Sequence, residues 1–160
     1  MSRGEDRDDE APTAVAAWES LFRAQVAVLR RLGRDPIWGE VSFREYDVLY
    51  TLRIRPGCCA RLRELAASSL LTQPSLSRMV ERLEERSLVE RRPVPDDARG
   101  TLVVLTDAGM RLVTTVGRRH AEAIDAYVGE ALEPSERAAL RTLTEKLRAA
   151  QGQIPDLARG

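Results

Sequence analysis

From Thr13 onward the chain reads as a succession of amphipathic segments. Val15, Trp18, Phe22, Val26 and Leu29 recur at steps of three and four, so a helix is predicted from Thr13, its N-cap, to about Leu32. Leu21, Val28 and Leu32 add a second apolar stripe, and a helix apolar on more than one side needs more than one covering surface. In a chain this short that points to a partner subunit, with burial inside one monomer as the alternative. The stretch 33–39 is a connector. Ser42 then caps a second helix over 43–54, with Glu45 at the capping-box position and Arg55-Pro56-Gly57 as its stop. A short strand-like element follows over 58–62 and a brief helix over 63–68. A fourth helix begins at Thr72, its N-cap, with Pro74 in the first turn, where a missing N–H costs nothing.

In this fourth helix Leu76, Met79, Val80 and Leu83 form an inward stripe, while Gln73, Ser75, Ser77, Arg78 and Arg82 fall on the other side. Two strand-like runs come next, 88–94 and 101–105, joined by the tip PDDARG. Asp96, Asp97 and Gly100 there supply turn chemistry for a β-hairpin. Thr106-Asp107 caps a long helix to about Val128, with Leu112, Val116, Ala123, Ile124 and Tyr127 near one face. Glu133-Pro134-Ser135-Glu136 opens a last helix carrying Leu140, Leu143 and Leu147. The expected fold is mainly α with a small β-hairpin.

A tight pair of helices whose second member runs directly into a hairpin describes a winged helix-turn-helix, and that geometry suits DNA. A recognition helix is held down by its apolar stripe and presents short hydroxyls and long donors outward. Gln73, Ser75, Ser77 and Arg78 occupy the two turns that reach base edges and phosphates, and Arg82, one turn on, suits a phosphate. The same pattern also builds protein-interaction modules without an operator, and Ser and Arg on an outer face also suit plain solvation.

Composition limits the other classes. The 160 residues carry 25 basic and 25 acidic side chains, so overall charge does not mark a nucleic-acid binder and placement must do so. Five acids against two arginines in residues 1–12, with almost no apolar side chain, predict a disordered acidic N-terminus. That segment lacks the apolar core of a secretory signal, and no apolar run is long enough for a bilayer, so a cytoplasmic protein without membrane contact is expected. Cys58 and Cys59 are adjacent, which suits neither an ordinary disulfide nor a zinc site. They read as packing residues, with a redox-sensing thiol as the alternative. His120 stands alone and is expected in a structural setting. With no nucleophile–base set, metal cluster or phosphate-cradling loop, neither an enzyme nor a cofactor is expected.

Residues 62–112 go further. LREL-A before the turn, TQPSLSR opening the recognition helix, VERLEERSLVERR running into the wing, and DDARG followed by LT-D-AG resemble the winged-helix core of the MarR family of transcriptional regulators. That resemblance implies a homodimer held by helices over 13–34 and 107–150, flanking a DNA-binding domain over 42–106, with 151–160 as a tail. It implies a ligand-responsive repressor whose two lobes straddle an inverted repeat in double-stranded DNA. Arg99 then becomes the wing arginine that enters the minor groove. Asp97 becomes the aspartate that braces the wing through an arginine on the recognition helix or wing, with Arg82 as the candidate partner. The family commonly binds a small aromatic molecule near the dimer helices, for which Trp18, Phe22, Phe43, Tyr46 and Tyr50 are the available rings. One position departs from the pattern: Ser87 stands where a glycine is usual, between recognition helix and wing.

Overall fold

A computed structural model describes residues 13–68, 71–94 and 97–154, with the side chains of Ala98 and Arg99 outside the described set. The expected disorder of residues 1–12, the turn residue Asp96 and most of the tail therefore fall on residues that are not described. The chain divides into two compact units, Met1–Pro36 and Ile37–Gly160.

The first unit contains α1 (Ala14–Leu32), where Thr13 accepts the Ala16 N–H at 3.2 Å as the N-cap. Val15, Trp18 and Phe22 are exposed on it, and the last two rings stack at 6.1 Å.

The second unit is built from α2 (Phe43–Arg53), β1 (Cys59–Arg61), α3 (Leu62–Ala67), α4 (Gln73–Glu85), β2 (Val89–Val94), β3 (Asp97–Leu105), α5 (Asp107–Ile124) and α6 (Pro134–Ala150). Ser42 and Glu45 close the capping box of α2 reciprocally, at 3.2 and 2.8 Å. The core gathers Leu49 and Leu52 of α2, Leu65 of α3, Leu76, Val80 and Leu83 of α4, Val89 and Val103 of the sheet and Val113 of α5, all nearly inaccessible. Val113 and Val116, rather than Leu112 and Val116, are the buried pair on α5, and that helix passes directly into a π-helical turn over Asp125–Gly129, so the helical run reaches Val128 as expected. Leu140, Leu143 and Leu147 on α6 are exposed.

The sheet is three-stranded and antiparallel in the order β1-β3-β2, so the short element before α3 joins the hairpin as a third strand. The hairpin's second strand begins at Asp97 rather than Thr101, so part of the PDDARG tip belongs to β3. Pro93 pairs with Thr101, yet the next residue, Val94, pairs with Asp97, so residues 98–100 bulge out of β3 opposite nothing on β2. A Cβ on Gly100 would stand 2.8 Å from both Asp97 Oδ2 and Val94 Cγ2, so only glycine lets the bulge fold so tightly.

Candidate nucleic-acid interface

The recognition helix α4 is amphipathic for a physical reason visible in its sequence. Leu76, Met79, Val80 and Leu83 are buried, which turns Gln73, Arg78 and Arg82 outward as exposed side chains and leaves Ser75 and Ser77 half-buried beside them. Thr72 occupies the N-cap position with extended backbone, but its hydroxyl makes no cap bond and donates instead to Ser75 Oγ at 3.0 Å. Pro74 lies in the first turn and is exposed. The first turn of α4 therefore keeps backbone N–H groups without a side-chain cap, and such groups attract anions.

The C-terminal end of α4 is fixed by four contacts. The Ser87 and Leu88 N–H groups donate to Glu84 and Leu83 carbonyls at 2.8 and 2.9 Å, a Schellman closure that needs a left-handed residue at Ser87, whose φ is 57°. The Thr106 hydroxyl donates to the Ser87 carbonyl at 2.7 Å, while its Oγ1 accepts the Gly109 N–H at 3.0 Å to cap α5. The chain crosses so close to α5 that a Cβ on Gly109 would lie 2.1 Å from the Leu88 carbonyl oxygen. Arg86 donates to the Glu40 carbonyl at 2.9 Å, tying this end to the entry of α2.

The wing is braced at two points. Near its base, Glu84 accepts both the Arg91 N–H at 2.8 Å and Arg91 Nε at 2.7 Å, and Arg91 also reaches Glu81 at 3.4 Å. The Arg91 N–H bond, followed by the guanidinium, holds the Glu84 carboxyl below its ordinary range. Near the tip, Asp97 Oδ2 meets Arg61 Nη1 at 3.5 Å, with both side chains about one-third exposed. This corrects the expected partner: Arg82 points along its own helix and donates to the Arg78 carbonyl at 3.3 Å. Arg61 ends β1, which pairs beside β3 (Arg61 opposite Leu102), so the sheet delivers it to the wing. Arg61, Arg63, Gln73, Asp97, Gly100 and Thr101, with Leu62, line a 200 Å³ cleft between wing and recognition helix. The backbone of Arg99 lies in the bulge at this tip; its side chain is outside the described residues.

A second cavity, of 340 Å³, lies between α2 and α5 and is lined by Phe43, Tyr46, Asp47, Tyr50, Gly117, His120, Ala121 and Ile124. Phe43, Tyr46 and Tyr50 of the expected ring set are brought together here, whereas Trp18 and Phe22 pair with each other on α1. Trp38, not among those rings, stands 5.2 Å from Phe43, 5.4 Å from Tyr46 and 5.0 Å from His120. Burial lowers the His120 pKa against the pull of Asp47, and its Nδ1 is buried without a hydrogen-bond partner. Burial likewise raises the Tyr46 hydroxyl and, although the Asp47 side chain is open to solvent, the atoms packed beside it raise its carboxyl too.

The MarR family model matches residues 40–100, which is the segment from the start of α2 to the wing tip. The MarR-family transcriptional regulator Sco3205 of Streptomyces coelicolor, solved in complex with DNA, superposes with a TM-score of 0.74 at 27% identity, covering 94% of this chain and 96% of that one. The chain belongs to the MarR family. It is a MarR-family transcriptional regulator with a DNA-binding winged helix. The HTH-type regulator PecS of Dickeya dadantii (strain 3937) is 29% identical over 104 residues, 64% of this chain and 63% of PecS, so the match spans a little under two thirds of that relative. BpsR of Bordetella bronchiseptica, whose DNA binding is regulated by 6-hydroxynicotinic acid, superposes at a TM-score of 0.67 and 25% identity over 82% of this chain and 98% of BpsR.

In this MarR-family chain Arg61, Arg63, Arg91 and Glu84 are site residues that sequence reasoning passed over. The pairing of β1 with β3 is what brings Arg61 to the wing. Cys58 and Cys59 are half-buried, with Sγ atoms 3.8 Å from the Arg53 carbonyl and 3.7 Å from the Pro56 carbonyl. Among the described residues no group of three or more His, Cys, Asp or Glu could hold a metal, and no helix is long and apolar enough to cross a membrane.

Proposed function

We propose that this regulator represses transcription by binding an inverted-repeat operator as a homodimer and releases it when a small aromatic effector enters the cavity between α2 and α5. The observation that carries the DNA reading is the juxtaposition of exposed Gln73, Arg78 and Arg82, with half-buried Ser75 and Ser77 beside them, and a braced wing whose tip backbone contains Arg99. Gln73 and Arg78 have the donors for bidentate contacts to adenine and guanine, Thr72 and the two serines allow close backbone approach, and Arg82 suits a phosphate. Arg99 at the bulged tip suits the flanking minor groove, where narrow A/T tracts attract guanidinium. Sco3205, similar over nearly its whole length, was captured on DNA, which supports the same use of the fold here.

Dimerisation is supported by exposed apolar side chains on both terminal helices: Val15, Trp18 and Phe22 on α1, and Leu140, Leu143 and Leu147 on α6. Six such residues in water favour a partner, and a second copy is the symmetric solution. The effector reading rests on the aromatic cavity, whose size falls within that of small-molecule sites, and on the regulation of BpsR by a small aromatic compound.

The test is fluorescence anisotropy on labelled DNA from upstream of the chain's own gene, with sedimentation for the oligomer. Steep loss of affinity as salt rises and a clear loss in Arg99→Ala are expected. A flat salt response would mean a protein-interaction module instead. A reporter whose expression rises when the gene is deleted identifies repression, and one that falls refutes it.

A further inference from the structure

The polar content of the α2–α5 cavity is lopsided. Three rings, Phe43, Tyr46 and Tyr50, line it with the apolar Ala121 and Ile124, and among the described residues its only titratable groups besides the tyrosines are Asp47 and His120. No lysine or arginine is among the described lining residues. Arg53 comes near, its Nη1 3.9 Å from where a Cβ on Gly117 would stand, but it is outside the lining. Asp47 makes no hydrogen bond or ion pair among the described residues, and His120 is the one titrating neighbour that opposes its upward shift.

His120 does not supply the missing positive charge. Protonation would put a second N–H on the ring, and its Nδ1 is buried with nothing to accept from it. Three rings crowd it, with centroids at 5.0 Å for Trp38, 5.3 Å for Tyr46 and 6.3 Å for Phe43. An aromatic carboxylate entering this cavity would therefore face the Asp47 carboxylate with no lining cation to offset it. An organic ammonium would meet the opposite situation. The Tyr46 and Tyr50 rings, stacked on each other with centroids 5.9 Å apart, both line the cavity and carry the π density that attracts a cation, and Asp47 provides a counter-charge.

Resting on the reading of this cavity as the effector site, we propose that the effector is an organic cation, an ammonium group carried on an aromatic or apolar frame, with Asp47 as its counter-charge and Tyr46 and Tyr50 as its π walls. The occupant thus differs in charge class from the aromatic acid that regulates BpsR.

Calorimetric titration of the full chain with three probes of one shape decides this: 2-phenylethylammonium, 2-phenylethanol and phenylacetate. The expected order of affinity is cation, then neutral, then anion, and Asp47→Asn should weaken the cation roughly tenfold or more while leaving the alcohol within about twofold. Only the cation should also lower operator affinity. Phenylacetate or 6-hydroxynicotinate binding as tightly as the cation, or a cation indifferent to Asp47→Asn, overturns the charge class and leaves the cavity's effector role standing. Failure of all the probes to bind overturns both. Should Asp47→Asn fold poorly, the wild-type order of the three probes alone settles the matter.

Discussion

Ser87 stores strain that can be released by deleting one hydroxymethyl group. Its φ of 57° is forced, because the Ser87 and Leu88 N–H groups close the end of α4 onto Glu84 and Leu83, and the Ser87 carbonyl is held by Thr106. For an L-residue the left-handed region costs about 1–2 kcal/mol, whereas glycine enters it freely. Glycine also widens the unfolded ensemble, which gives back roughly 0.4–1 kcal/mol. The side chain is exposed, so little packing is lost. Ser87→Gly should therefore stabilise the protein by about 0.5–1 kcal/mol, or about 1–4 °C in Tm for a chain of this size. Urea unfolding measures it: the midpoint should rise with an unchanged slope. Ser87→Ala, which keeps the Cβ, should stay near wild type. A Ser87→Gly variant no more stable than wild type would refute the strain argument and mean that the turn relaxes at no cost.

Three other outcomes are expected. The Arg61–Asp97 pair is part-exposed and long, so it should be worth only about 0.5–1 kcal/mol; Asp97→Asn should weaken operator binding about two- to fivefold with little change in melting, and a double-mutant cycle with Arg61→Ala should show the coupling. A zero coupling energy would remove the brace. The Glu84 carboxyl has a lowered folded-state pKa, so its contribution is complete above the ordinary glutamate range and is lost as pH falls through the folded value. The stability gap between wild type and Glu84→Gln should accordingly be constant near neutrality and close below about pH 4. His120 runs the other way from a partnered histidine: its folded pKa is lowered, so the unfolded chain takes the proton first as pH falls. Wild type should lose stability relative to His120→Gln between about pH 7 and pH 5, and parallel curves would contradict the burial of that ring.

Local chemistry was legible along the chain. Apolar spacing placed α1, α2 and α4 within a residue or two, because a helix face is decided by neighbours three and four positions away. The Ser42–Glu45 box and the Thr13 and Thr106 caps followed from side chains that bond their own backbone. The outward set on α4 followed from the same periodicity, and the departure at Ser87 was visible as a residue type in an unusual place. Other features depend on segments distant in sequence, and no local pattern encodes them. Asp97 finds Arg61 rather than Arg82 because β1 adds to β3 across 36 positions. The wing tip is a bulge rather than an open turn because Gly100 can lie against Val94. Val113, not Leu112, meets the core because the approach of α5 to Leu88 at Gly109 sets that helix's rotation. The cavity needed α2 and α5 brought together before Asp47 and His120 became neighbours, so its charge belongs to the tertiary structure alone.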